Sequence, residues 1–250
     1  MLADPERSAG LSAKQKAART RAAREREARV EQAIKRLPAL KEKQEKLAKQ
    51  KSKKEKERLK EPRASTTDDQ ASVMKMANGG FNPAVNVQFA TDTDSRAIVG
   101  VAVSGEGNDH HLAEPMRQQV EARTGQAVHE HLMDGGYLVM AEIEAAAAQE
   151  VTVYVPPKPP RDARRAGEEF TPKAAESAVL GQWRQRMGSA AGKEIYKQRA
   201  ATSETVNADL RTHRGMGRML VRGLEKAKCV ALWCAMAYNV MHFAAALIAT

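Results

Sequence analysis

Aromatic residues are scarce in this chain, only 4% of its 250 positions, which leaves too few rings for a base-stacking platform of the kind single-strand binders use. Cysteine is rarer still. Cys229 and Cys234 lie five apart in one apolar run, an offset that points them in different directions on a helix, so no disulfide framework is expected. The opening stretch, MLADPERSAG, has no apolar h-region and does not read as a secretion signal. An acid surplus is also missing. The net charge is +10 and the pI about 9.7, which favours a polyanionic partner without separating DNA from RNA or acidic lipid.

The positive charge is unevenly placed. Residues 11–63 hold twenty Lys/Arg against eight Glu, a surplus of twelve; set against a total of +10, the remainder carries about two net negative charges. The chain therefore reads as a basic arm, residues 1–62, a polar linker, residues 63–78, and a near-neutral body, residues 79–250. The arm is rich in Ala, Lys, Arg, Glu and Gln, all good helix formers, and Pro38 predicts a break into a charged helical hairpin. Its lysines in KQKSKKEKERLK, among them Lys53, Lys54 and Lys56, are candidates for phosphate contact; a solvated coiled-coil face is the alternative.

The body alternates. Val85, Val87 and Phe89 interleave with polar residues, and RAIVGVAV follows the turn TDTDS, predicting an antiparallel hairpin. Next come a helix near 112–124, a short strand near 129–133 ending at Asp134-Gly135-Gly136-Tyr137, a helix near 139–149, and the strand VTVYV closed by two prolines. Residues 157–187 form an irregular Pro-, Arg- and Gly-rich insertion. Helices are expected at 191–211 and 223–247. The order β-β-α-β-α-β-insertion-α-α predicts an α/β fold with a mixed sheet.

Asp134 stands at a strand C-terminus before two glycines, where a metal or phosphate can approach closely; an ordinary turn is the alternative. Glu204 lies between Lys197 and Arg211, seven residues away on either side and on one face of a regular helix; a solvated charge pattern is the alternative. Asp109, in GNDHH after the second strand, falls near this region. His129 and His131 alternate on the Asp134 strand, but no fixed-spacing partners complete a zinc set. Trp183, in the insertion, reads as a core residue before it reads as a base-stacking one. Arg211, Arg214 and Arg218 run beside glycines, a composition suited to backbone phosphate contacts. Residues 229–250 carry no formal charge, and by length pass as a membrane span, but Asn239, His242 and abundant alanine lower the drive to insert.

The segments MKMANGGFNPAVNVQFATDTDSRAIVGVAVS, HLMDGGY, VTVYVPPKPP, KEIYKQRAATSETVNADLRTHRG and VRGLEKAKCVALW resemble, in order, the DDE transposases of bacterial insertion sequences. The likeness falls within the insertion-sequence-four-type superfamily and lies closest to its eleven-eighty-two group. It implies a ribonuclease H-like core, an Asp, Asp, Glu triad and two Mg²⁺ or Mn²⁺ ions, with Asp134 as the second Asp and Glu204 as the Glu, both as catalytic residues and metal ligands. Tyr196, Arg199 and Arg211 match the signature positions around that Glu and are expected to handle DNA. Such chemistry suits the donors, since Mg²⁺ takes oxygen ligands and retains water.

The first Asp of the triad should lie on a central strand upstream of the basic arm. No such strand precedes it here, and Asp4 sits in a polar, Pro-containing start. The expectation is an N-terminally truncated transposase, inactive alone; a non-catalytic DNA-binding or inhibitory remnant acting through the arm is the second reading, and a membrane-anchored basic coiled coil the third. Val85 stands where the family often has Tyr, and the tail MHFAAALIAT has no clear family counterpart. The expected partners are terminal-repeat and target DNA, with the chain a homo-oligomer or paired with full-length transposase, in the bacterial cytoplasm at the nucleoid and not in a membrane.

Overall fold

In this computed structural model, residues 10–49, 61–76 and 79–248 are described. They divide into two compact units, residues 1–85 with 221–224, and residues 86–220 with 225–250.

In the first unit, α1 runs from Ala13 to Lys49 with Pro38 inside it. This corrects the expected hairpin. A proline removes one backbone donor and crowds the preceding turn, and that local cost is offset here by helix formers on both sides. Within the stretch read as a linker, strand β1 (Ser72–Lys75) pairs antiparallel with β2 (Phe81–Ala84), in register from Ser72 with Ala84 to Lys75 with Phe81. The pair is short and largely exposed, so it leaves no clear apolar alternation in the sequence. Arg36 of α1 donates to the carbonyls of Asp69 and Ala71 and to the Ser72 hydroxyl, satisfying backbone acceptors just ahead of β1.

The second unit follows the predicted order. Strands β3 (Asn86–Thr91) and β4 (Ile98–Ser104) form the antiparallel hairpin. Helix α2 (Ala113–Thr124) leads to β5 (Glu130–Leu132), and α3 (Met140–Ala148) leads to β6 (Thr152–Tyr154), which pairs parallel with β5. The mixed α/β arrangement is present, with its strands in small sheets. Among the described residues there are three separate two-stranded sheets, β1–β2, β3–β4 and β5–β6.

The insertion is less irregular than predicted. Its second half contains α4 (Ala178–Gly188), capped by the Ser177 hydroxyl, which accepts from the Leu180 N–H. Beyond it, α5 (Ala190–Arg199), a π-helical turn (Ala200–Glu204) and α6 (Thr205–His213) run on without a break; α7 (Leu224–His242) and α8 (Ala244–Ile248) follow.

Two apolar clusters hold this unit. One gathers Met133, Ile143, Val153, Tyr154, Val155, Leu180, Trp183 and Met187 around β5, β6, α3 and α4. The other packs Ile98 and Val101 of β4 against Val206 and Leu210 of α6 and Ala231, Ala235 and Tyr238 of α7. Asn239 ties α7 to the hairpin, since its carboxamide accepts from the Ile98 N–H and donates to the Ile98 carbonyl, both at 2.9 Å. The uncharged C-terminal run is thus a sheet-covering helix with its one amide paired, and no helix among the described residues is long and apolar enough to cross a membrane.

Candidate active site

A cleft of about 840 Å³ opens in the second unit, lined by consecutive residues of β3 (86–91), by residues 128–134 through β5, and by Asp109, Tyr137, Arg199, Thr202, Asn207 and Arg211. Lining by consecutive residues, not alternate ones, means that both strands present their edges. Several buried polar atoms of these strands have no partner among the described residues: Gln88 Oε1, Thr91 Oγ1 and His131 Nδ1.

Asp134 follows β5. It caps the short turn Gly135–Tyr137, its Oδ1 accepting from the Gly136 N–H at 2.8 Å. Across the turn lies Asp109, in the loop between β4 and α2. Its Oδ1 accepts from Asn86 Nδ2 at 2.6 Å and Gln88 Nε2 at 3.0 Å, both donors on β3. A Cβ on Gly136 would stand 2.7 Å from Asp109 Oδ2 and 2.9 Å from Asp134 Oδ1, so the missing side chain is what lets the two carboxylates converge. Tyr137 sits beside them. Burial, then the charges of Asp109 and Asp134, push its phenol above the ordinary value.

Glu204 closes the π-helical turn. Its Oε1 accepts from Arg199 Nη2 at 2.6 Å, and the Arg199 guanidinium lies over the Tyr196 ring, 5.6 Å from its centre. The turn explains the pairing. Hydrogen bonds from i to i+5 bring residues five apart onto one face, as Arg199 and Glu204 are. It also corrects the expected Lys197–Glu204–Arg211 face, which assumed a regular helix; Lys197 instead pairs with Glu194 at 2.6 Å. Burial raises the Tyr196 phenol, with Asp134 and Glu204 adding to the shift and Arg199 opposing it, which places Tyr196 within reach of both acids' charge.

The structure therefore groups Tyr196, Arg199 and Glu204 directly, brings Asp134 within electrostatic range of Tyr196, and puts Arg211 on the cleft wall. Arg214 is engaged elsewhere, in a 2.8 Å ion pair with Asp209 and over the Tyr238 ring. Arg218 is exposed in the loop after α6. Lys53, Lys54 and Lys56 lie outside the described residues. Asp109 was only loosely placed by sequence; its signal was position, a carboxylate in a loop that returns from a strand edge.

His131 is held neutral, its imidazole lowered to about 4 by burial and by the nearby Arg117 charge. His111 Nδ1 contacts Glu142 Oε1 at 2.6 Å. Trp183 is fully buried, its indole N–H donating to the Val155 carbonyl at 3.0 Å.

Among the described residues no three His, Cys, Asp or Glu side chains gather around one point to hold a metal. The donors that do converge nonetheless suit a hard divalent cation. Two carboxylate oxygens meet over a position that a Cβ would fill, and neither carboxylate has an ion-pair partner among the described residues.

The class of this protein is that of the transposases. The chain matches the family model described as a transposase DDE domain over residues 62–240, and it is a member of that family. No curated protein and no solved structure matches it.

Proposed function

We propose that this transposase serves metal-dependent DNA strand cleavage and transfer for an insertion sequence of the insertion-sequence-four type, on a ribonuclease H-like core, with Asp134 and Glu204 as the second and third acids of the triad, and that the chain is inactive alone. The observation that carries this reading is the linkage of Tyr196, Arg199 and Glu204 through the π-helical turn, beside a cleft that also holds Asp134. When bound, Mg²⁺ or Mn²⁺ would activate the attacking hydroxyl and stabilise the leaving oxygen of an in-line phosphodiester displacement. Arg199 positions Glu204 and keeps its charge compensated. Arg211 adds positive charge to the cleft wall, where a DNA phosphate would lie, and Lys53, Lys54, Lys56 and Arg218 are further DNA-binding residues. The substrate is terminal-repeat and target DNA in the cytoplasm, engaged by a homo-oligomer or by pairing with full-length transposase.

The test is nicking and strand transfer on terminal-repeat DNA with Mg²⁺, where the chain alone should give neither and robust activity overturns the inactivity. Any activity seen should be abolished by Asp134→Asn and by Glu204→Gln while DNA affinity stays within a few-fold. Activity surviving either substitution sinks the assignment.

A specific feature favours a second reading, that of a non-catalytic DNA-binding remnant. Glu204 is half-exposed and tied to Arg199, and it does not itself line the cleft. Salt-dependent binding with no nicking by the unsubstituted chain would support that alternative.

A further inference from the structure

We propose that Asp109 is a metal ligand of this site, sharing a divalent cation with Asp134, with Gly136 leaving the space and Gln88 setting the carboxylate's orientation. The inference rests on the metal-dependent reading above and assigns to it a residue that the triad pattern does not include.

The geometry around Asp109 is built from three elements. Asn86 and Gln88, two apart on β3 and so on one face of the strand, both donate to a single oxygen, Oδ1. That bonding fixes the carboxylate plane and leaves Oδ2 as the oxygen turned towards Gly136 and Asp134. The separation of Asp109 Oδ2 from Asp134 Oδ1 is bounded by their distances of 2.7 and 2.9 Å to the empty Cβ position of Gly136, close enough that a small rotation of either side chain brings both oxygens onto one cation. Two carboxylates brought this close repel each other unless a cation lies between or beside them. None is supplied by the protein, since no Lys, Arg or His among the described residues forms an ion pair with either.

Gln88 is a second and independent observation. It is 7% exposed, and its Nε2 must face Asp109, because the reverse orientation would set two acceptors against each other. Its Oε1 is thereby committed to a buried position with no donor among the described residues. A buried amide oxygen without a partner costs about 1–3 kcal/mol. A cation, or a water bound to one, removes that deficit. The Asp109 and Asp134 carboxylates offer oxygen donors only, which Mg²⁺ and Mn²⁺ prefer, and the remaining positions are open to phosphate oxygens or to water in the cleft that Gln88 also lines.

The experiment is Mn²⁺ titration of the full chain followed by electron paramagnetic resonance of free Mn²⁺, with Mg²⁺ as competitor. The unsubstituted chain, Asp109→Asn, Gly136→Ala and Asp134→Asn are compared, each checked by circular dichroism for native fold. Gly136 is not in the left-handed region, so alanine there adds no backbone strain and puts its Cβ against the Asp109 and Asp134 carboxylates. We expect Asp109→Asn and Gly136→Ala each to weaken Mn²⁺ binding by on the order of ten- to a hundredfold, as Asp134→Asn does. If Asp134→Asn loses Mn²⁺ while both other variants bind as tightly as the unsubstituted chain, Asp109 is not a ligand and the metal-dependent reading stands. If the unsubstituted chain binds no Mn²⁺, both fall together.

Discussion

Replacing Trp183 separates a structural role from a DNA-contacting one. Its side chain is fully buried among Met133, Val153, Leu180 and Met187, and its indole N–H donates to the Val155 carbonyl at 3.0 Å. Trp183→Phe keeps most of the ring but leaves that buried carbonyl without its donor, a loss of about 1–3 kcal/mol. Trp183→Ala empties the site and costs about 3–5 kcal/mol. In a domain of this size each kcal/mol moves the midpoint by roughly 2–4 °C, so the phenylalanine variant should melt several degrees lower and the alanine variant markedly lower. Urea denaturation gives the free energies, and DNA affinity per folded molecule is measured in parallel at fixed salt. Both variants should bind DNA as the parent does while folded. A Trp183→Ala chain of undiminished stability and weakened DNA binding would refute the packing role and restore the base-stacking one.

Stability should also fall on mild acidification through His131. Its folded-state value lies near 4, below an ordinary 6.5, because burial and Arg117 disfavour the charged ring. The unfolded chain therefore takes up the proton first as pH drops. The contribution is complete above pH 6.5, is lost between there and about 4, and amounts to at most about 3 kcal/mol; urea midpoints of the parent and His131→Gln across this window should converge as pH falls, and parallel curves would exclude the effect. Asn239→Ala removes both bonds to Ile98 and should lower stability by roughly 1–3 kcal/mol, with faster amide exchange at the start of β4. Unchanged exchange there would mean that α7 is held by its apolar face alone.

The sequence by itself determined the order of elements in the second unit, because β3 alternates polar and apolar residues, β4 is a short apolar run, and Gly125, Ser177, Gly215 and Gly223 mark ends of α2, α4, α6 and α7 within a few residues. It also marked Asp134, Tyr196, Arg199 and Glu204 as residues of interest, through a strand-end Asp-Gly-Gly and a resemblance confined to a short segment. Local patterns could not reveal the continuity of α1 through Pro38, since a proline's cost is weighed against helix formers along both flanks. They gave no hint of the π-helical turn, which changes which residues share a face and turns an apparent Lys197–Glu204–Arg211 row into an Arg199–Glu204 pair. Nor could they bring Asp109 to Asp134. Those two carboxylates are 25 positions apart in sequence, and they meet only because the β3 edge carries Asn86 and Gln88 to one side of Asp109 while Gly136 withholds a side chain on the other. Spacing along the chain is set by covalent geometry and is legible; convergence across strand edges depends on long-range packing, and only the tertiary structure decides it.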